Sequence, residues 1–276
     1  MKKIKSISEI VTSKDTGEKY KRAYTEYDEN GNEIVSIDYD FSEAINAKNL
    51  TKYDDNNRKI QMQIYTEEDV INETHFYFYN EDGKILKEEI DYSEESKSIK
   101  NYNYDANNLT IVTVDENNEI EEKEIIIRNE DNNIIEHKVF DYEGNQTIHE
   151  ILEYSDKKLT LQKNFDEKDN LTNQRYYKYN DKGQIIFVGV ANSRRELLDS
   201  STYEYDEKGR EIVRTIGTRG KISTEYNDDE HTVTSITQTG SGQIISQTIT
   251  TLNEENQTLK EEDFANITDY IYEYFD

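Results

Sequence analysis

The sequence predicts an all-β protein: about ten tandem β-hairpin repeats of ~26 residues forming one long, twisted or rolled antiparallel meander sheet. Three observations carry this. A turn-forming motif recurs at near-constant spacing, the segments between its copies alternate with period two, and helical spacing is not sustained anywhere.

Residues 1–26 are expected to form N-terminal capping strands. Met1-Lys2-Lys3 resembles the basic start of a secretory signal, but polar and charged residues stand among Ile4 to Ile10, where an apolar run is required. Repeats then fill residues 27–260. Each copy opens on an aromatic or apolar residue, followed by Asp or Asn, polar residues that often include Gly or Asn, and an aliphatic. Clear copies are Tyr27-Asp-Glu-Asn-Gly-Asn-Glu-Ile34, Tyr53-Asp-Asp-Asn-Asn-Arg-Lys-Ile60, Tyr79-Asn-Glu-Asp-Gly-Lys-Ile85, Tyr179-Asn-Asp-Lys-Gly-Gln-Ile185 and Tyr205-Asp-Glu-Lys-Gly-Arg-Glu-Ile212. Weaker copies start at Tyr104, Arg128, Tyr154, Tyr226 and Leu252. Degenerate ones, at Tyr92-Ser-Glu-Glu-Ser96, Phe140-Asp-Tyr-Glu-Gly-Asn145 and Phe165-Asp-Glu-Lys-Asp-Asn-Leu171, halve the step to about 13 residues, one strand plus one turn.

Asx and Gly residues explain the turns without proline, because they tolerate positive φ and the Asx side chain bonds backbone two residues on. In Tyr77-Phe-Tyr79, Tyr102-Asn-Tyr104, Tyr177-Lys-Tyr179 and Tyr203-Glu-Tyr205 the two tyrosines share one face of a strand. About 20 strands would make a flat sheet nearly 100 Å wide, and open sheets rarely exceed about ten strands, so this one must twist, roll or spiral. No linker or composition break divides it, and residues 261–276, with the aromatic run Asp269 to Phe275, close a single continuous domain as a C-terminal capping strand.

Composition sets the limits. The chain has 276 residues, 60 acids, 33 bases and a net charge of -27, with 22 Tyr and no Pro, Cys or Trp. Average usage would give roughly 14 prolines. Without cysteine there is no disulfide, thiolate metal site or Cys nucleophile. The negative field disfavours a nucleic-acid partner. Ile, Val, Leu and Phe total 61 of 276 residues, near the level at which high charge gives disorder, and composition alone does not decide between folded and disordered. Abundant Asn, Lys, Ile, Tyr and Glu with only six Ala fits an AT-rich bacterial genome. The longest apolar stretch, Ile185 to Ala191, is far too short to span a bilayer, so a soluble chain is expected, cytoplasmic, or secreted or at the cell surface if a leader has been removed.

At Tyr179-Asn-Asp-Lys-Gly and Tyr205-Asp-Glu-Lys-Gly-Arg the chain resembles the YD-repeat (RHS-repeat) family, whose units carry Tyr-Asp, two variable residues, Gly, a polar residue or Arg, and an aliphatic. The resemblance covers roughly residues 20 to 260. It implies β-hairpins spiralling into a sheet or hollow shell, which in large members encloses a toxin domain or serves adhesion. This chain departs from the pattern: Asn57, Asn108 and Asp229 stand for Gly, and Arg following the motif Gly occurs only as Arg210. Its length is too small for a large shell around a cargo, and with no long non-repeat region after residue 260 no attached toxin is expected.

No catalytic constellation or cofactor site is expected, since Ser-His-Asp spacing, a Gly-rich phosphate loop and a dinucleotide fingerprint are all missing. Paired carboxylates arise by chance among so many acids. The turn Asp28 to Asn32 lacks the spacing of a calcium loop. If the turn after Phe140 is centred on Glu143, His137 and His149 face each other on adjacent strands, with Glu136 and Glu150 paired on the other face; two imidazoles without a third ligand make only a weak zinc candidate, so no metal is assigned.

The candidate contact surfaces are three. Tyr177, Tyr179, Tyr203 and Tyr205 are either packing pairs or an aromatic strip for a protein or, second, a glycan. Charge is segregated: residues 114–156, with Glu121, Glu122 and Glu124, carry 14 acids and 3 bases, whereas residues 191–221 carry 7 bases, among them Arg194, Arg195, Arg210, Arg214 and Arg219, and 6 acids. Residues 231–253 have no Asp, Glu, Lys or Arg, so this hairpin is either covered by its own chain or a docking surface. The expected function is a non-enzymatic repeat protein that binds another macromolecule, first a protein, through its extended sheet. The alternatives are an acidic inhibitor or immunity-type protein against a basic toxin or nuclease, whose acids in 114–156 should gather on one face, and, lowest, a carbohydrate-active enzyme. No membrane partner is expected, and the oligomeric state is open.

Overall fold

The structure, a computed structural model, describes residues 2–67, 70–92 and 96–276; the Tyr92 to Ser96 motif copy therefore lies largely outside the described residues. Its 22 strands run in chain order. They are β1 (Ile4–Ser13), β2 (Lys19–Tyr27), β3 (Glu33–Tyr39), β4 (Ile45–Tyr53), β5 (Lys59–Glu67), β6 (Val70–Tyr79), β7 (Ile85–Tyr92), β8 (Lys97–Asp105), β9 (Asn108–Asp115), β10 (Ile120–Arg128) and β11 (Ile134–Asp141). They continue as β12 (Gln146–Ser155), β13 (Lys158–Phe165), β14 (Leu171–Tyr179), β15 (Ile185–Asn192), β16 (Leu197–Tyr205), β17 (Glu211–Ile216), β18 (Gly220–Asn227), β19 (Thr232–Thr239), β20 (Ile244–Leu252), β21 (Thr258–Glu262) and β22 (Asn266–Tyr274). Every strand pairs antiparallel with the strands before and after it.

The expected open meander is corrected at its ends. β1 pairs with β22 along its length, from Ile4 opposite Tyr274 to Ser13 opposite Asn266, so the sheet closes into a barrel. The physical reason is the edge problem. An open sheet leaves two rows of unpaired N–H and C=O groups, and among sheet architectures only closure removes both. At about 4.8 Å per strand the wall is roughly 106 Å around, which gives a radius of roughly 17 Å before tilt is counted. The barrel is hollow rather than collapsed. The buried hydrophobic side chains among the described residues are Val11, Tyr65, Ile90, Val139 and Ala191 alone, far fewer than two packed sheets would bury.

One turn construction repeats around both rims. In the turns opened by Asp28, Asp40, Asp54, Asn80, Asp115, Asn129, Asp141, Asp166, Asn180, Asn192, Asp206, Thr239 and Asn253, the opening residue's N–H donates to the carbonyl four residues on, and its own carbonyl accepts from the residue three on. Its side-chain oxygen accepts the backbone N–H four residues on, as Asp28 does from Asn32 at 2.9 Å and Asn180 from Gln184 at 2.9 Å. The fourth residue of each turn has positive φ, which is why Gly31, Gly83, Gly183 and Gly209 stand there and why Asn57 is a working substitute. This is a three-residue hairpin loop ending in a left-handed residue. Beside most of these turns the pairing slips by one residue: Tyr27 faces Glu33 but Glu26 faces Val35, and Tyr53 faces Lys59 but Lys52 faces Gln61.

Strand alternation then sorts side chains onto two faces. The tyrosines that open the motif lie on one, hereafter the tyrosine face, and their hydroxyls donate to backbone of the preceding hairpin: Tyr79 to the Lys59 carbonyl at 2.6 Å, Tyr179 to Leu159 at 2.8 Å and Tyr205 to Ile185 at 2.7 Å.

Candidate functional site

The two ends of the barrel differ. All ten motif copies read first from the sequence, with both chain ends, lie at one rim, the terminal rim; the degenerate copies at Phe140 and Phe165 lie at the other, the far rim. At the second turn position, which the turn's own hydrogen bonds do not use, the terminal rim carries Glu29, Asp55, Glu81, Glu130, Asp181, Glu207 and Glu254. At that position the far rim has Phe41 and Tyr142 beside Glu116, Glu167, Ser193 and Gly240. Phe41 and Tyr142, together with Leu198 and Phe264, are 63–84% exposed, while the aliphatics flanking terminal-rim turns, Ile60, Leu86, Ile186 and Leu259, reach 45% at most. Nothing in the turn geometry calls for apolar side chains there, so the far rim is the surface whose composition the fold does not explain.

The basic residues divide between the ends. Arg194 and Arg195 sit exposed in the far-rim turn opened by Asn192, and Arg195 occupies the left-handed position with φ of 66°. A bulky residue there costs on the order of 1 kcal/mol relative to Gly. Arg219 is also at the far rim, in the turn between β17 and β18, and pairs with Asp199. Arg210 belongs to the terminal rim, where it bridges Asp206 and Asp228 at 2.7 Å each and stacks over Tyr226 at 4.1 Å. Arg214 is on the tyrosine face, paired with Glu211 at 3.0 Å and over the ring of Tyr203 at 5.2 Å.

Acids of 114–156 are similarly dispersed. Glu116, Glu119 and Glu143 are exposed at the far rim, Glu130 and Asp131 at the terminal rim, Glu124 and Glu150 lie on the tyrosine face, and Glu136 and Glu153 lie on the opposite face. Glu121 accepts from the Ser98 hydroxyl at 2.7 Å, and Glu122 is exposed opposite Thr113. No single acidic face results.

The tyrosine pairs share a face, and the hydroxyls of Tyr177, Tyr179 and Tyr205 are engaged. Beside the bonds of Tyr179 and Tyr205, Tyr177 donates to Gln162 at 3.4 Å. All four rings, Tyr203 included, are half-buried. The uncharged hairpin β19–β20 is paired on both sides, by β18 and β21, so it presents no edge. Its tip packs so closely that a Cβ on Gly240 would sit 2.0 Å from the Thr218 carbonyl oxygen.

The His137–His149 pairing does not form. Phe140 does face Gln146, as a turn centred on Glu143 requires, but the pairing slips next to it, so His137 faces Glu150 and His149 faces Lys138. The extra residue puts the imidazoles on opposite faces. His137 contacts Glu124 at 2.8 Å; His149 contacts Asp169 at 2.8 Å and Glu136 at 3.2 Å and stacks on Phe165 at 4.7 Å. Among the described residues no group of three His, Asp or Glu side chains is placed to hold a metal ion.

Sequence reading missed one polar cluster. His75 bridges Glu88 at 2.8 Å and Glu73 at 3.0 Å, and Tyr102 donates to the same Glu88 at 3.2 Å. Glu88 is buried. The hydrogen bond to Glu88 raises the His75 pKa above the usual histidine value against desolvation. Burial pushes Glu88 up, but its bonds to His75 and Tyr102 and the charge of Lys100 leave it below the ordinary glutamate range. His75 and Glu88 lie 13 residues apart, the half-repeat, and that spacing was the available signal.

No family model matches the chain, and no curated protein matches it. Among solved structures it is similar to the Tc holotoxin pore of Photorhabdus luminescens, with 13% identity and a TM-score of 0.40 over 96% of this chain and 18% of that one. A porin-like protein from Bacteroides uniformis aligns over 98% of both chains at 9% identity and a TM-score of 0.37, and one from Bacteroides vulgatus over 99% of both at 11% and 0.29. The chain thus spans less than a fifth of the toxin chain, and likenesses this loose define no family.

Proposed function

We propose that this chain is a non-enzymatic, water-soluble barrel that binds a protein through its far rim. The observation that carries the reading is the exposed apolar set at Phe41, Tyr142, Leu198 and Phe264 at the far rim, where Phe41 and Tyr142 hold the turn position that carries acids at the terminal rim. Apolar anchors ringed by charge are the composition of a protein-binding patch.

The wall supports the aqueous part of the reading. A membrane barrel needs an outward apolar band about 25 Å tall. Here the tyrosine face carries Glu73, Lys100, Glu124, Glu150 and Arg175 along the strands, and the opposite face carries Lys48, Glu89, Lys123, Lys138 and Lys163. Neither face offers that band. The absence of a long apolar helix among the described residues bears on helices only. Scattered acids in 114–156 give an acidic inhibitor no concentrated surface.

Affinity capture from a host lysate tests the proposal, with the wild type set against a Phe41→Ser, Tyr142→Ser, Leu198→Ser variant of unchanged circular dichroism. The expected result is a protein retained by the wild type and lost by the variant. Equal capture by both, or partition of the protein into phosphatidylglycerol vesicles, overturns the proposal.

A further inference from the structure

We propose that three consecutive far-rim turns, joining β15 to β16, β17 to β18 and β19 to β20, seat an acidic, aliphatic peptide segment of a partner protein. The inference rests on the far rim being a binding surface and names the chemistry of what binds there. The sector comprises residues 192–200, 215–221 and 238–245. Its charges are Arg194, Arg195, Arg219 and Lys221 against Glu196 and Asp199, four bases to two acids on a molecule of net charge -27. Both acids are engaged within the chain: Glu196 accepts from the Asn192 amide at 2.7 Å, and Asp199 accepts from the Ser200 N–H at 2.9 Å and pairs with Arg219. Arg194, Arg195 and Lys221 make no ion pair within the chain among the described residues. Acids bound the sector on both sides. Asp166, Glu167 and Asp169 stand with Lys168 in the turn before it; Glu262, paired with Lys14 at 2.9 Å, and Asp263 stand after it, with Asp15 and Glu18 one turn further. The outer turns of the sector lie roughly 19 Å apart, and the Debye length at physiological ionic strength is about 8 Å, so a segment seated there responds to the sector and not to the net charge of the molecule.

Apolar side chains stand among these bases. Leu197 and Leu198 open β16, Ile244 and Ile245 open β20, and all four are 47–65% exposed. Exposed aliphatics beside unpaired bases select a ligand that is both apolar and acidic. Residues 231–253 keep carboxylates away from the sector, since they carry no Asp, Glu, Lys or Arg although charged residues make up 34% of the chain. Between the second and third turns lies a cleft of about 230 Å³ with no carboxylate in its lining. Lys221 lines it between its cross-strand partners Thr215 and Gln238, and Gly217 and Gly240 leave bare backbone in the walls. An ammonium with hydroxyl and amide donors on either side is suited to hold a carboxylate, and a cleft this small takes a single side chain. About six residues of extended chain, at roughly 3.3 Å each, cover the sector from end to end.

Fluorescence anisotropy at about 0.15 M salt tests this with a short labelled peptide of alternating Asp and Leu. The wild type should bind it and should not bind the counterpart with Lys for Asp. Lys221→Glu, and separately Arg194→Glu with Arg195→Glu, should each weaken binding at least about tenfold with unchanged melting temperature. Lys182→Glu, at the terminal rim, should leave it unchanged. No binding of the acidic peptide, equal binding of the basic one, or an affinity that ignores the far-rim reversals or falls equally with Lys182→Glu overturns the inference. Loss of host-protein capture on the apolar substitutions, in a wild type that ignores the acidic peptide, would leave the binding-rim reading standing and remove only the acidic occupant.

Discussion

One side-chain oxygen organises each turn of the repeated construction. At Asn129 it accepts the N–H groups of Asp131 and Asn133 at 3.0 Å each, which would otherwise be left to water. Asn129→Ala should cost about 1 kcal/mol by thermal unfolding, as loss of a comparable helix cap does. Where the residue is Asp the bonds titrate. The Glu119 N–H, with Asn117, holds the Asp115 carboxyl below its usual range, so its contribution is present above the unfolded value and is lost as pH falls through the lower folded one. Asp115→Asn keeps the acceptor and should flatten the loss of melting temperature below about pH 4 while changing little at neutral pH. His75 has the opposite sign: its raised pKa gives stability present below the unfolded value near 6.5 and lost as pH climbs through the folded one. His75→Ala leaves the buried Glu88 short of its partner and should cost about 2 kcal/mol by denaturant titration near pH 6, and less near pH 8. The Asx positions were legible because their bonds stay within five residues. The His137–His149 register was not, because the slip beside Phe140 is a property of the folded hairpin and not of the motif.

Hairpins join to one another through the motif tyrosine. Tyr179 reaches the Leu159 carbonyl twenty residues back while Lys158 lies over its ring at 5.5 Å, and Tyr79 repeats the arrangement with the Lys59 carbonyl and Arg58 at 4.8 Å. The 26-residue period thus sets a chemical contact between successive units, not only a strand length. Tyr179→Phe removes the hydroxyl and keeps the ring, and should lower stability by about 1 kcal/mol in denaturant unfolding. Tyr179→Ala should cost more, by losing the stacked cation and half-buried ring as well. No change on Tyr179→Phe would mean the latch is geometric only. The pairing of tyrosines on one face followed from alternation alone. Their acceptors did not, because a backbone carbonyl carries no mark in the sequence and twenty residues is neither the period nor its half. The far rim was hidden for a related reason: Tyr142 sits in a degenerate motif copy and Phe41 and Leu198 in no copy at all, and only strand order shows that they share one end of the molecule.

Closure is the property of the whole molecule that no local segment encodes. Alternation and turn spacing fix how each strand meets the next, and they read the same for an open ribbon, a spiral and a barrel. The deciding contact joins Ser6 to Glu273, where the hydroxyl donates to the carboxylate at 3.0 Å between residues 267 positions apart. Accumulated twist and stagger over 22 strands bring the ends together, and pairing β1 with β22 satisfies both edges at once. The pairing can be tested directly because the chain has no cysteine of its own. Ser8 and Ile271 are register partners across the seam, at a separation within the reach of a disulfide. Ser8→Cys with Ile271→Cys should oxidise to an intramolecular disulfide that speeds migration on a non-reducing gel, at protein concentrations too low for cross-linking between molecules. Moving the second cysteine to Ser201, on β16 and across the barrel, should give no such band. If both double variants stay reduced, or if only intermolecular species form, the ends are apart and the sheet is open. A closed result also explains how a chain so short of apolar core avoids edge-to-edge aggregation: its strands leave no edge to extend.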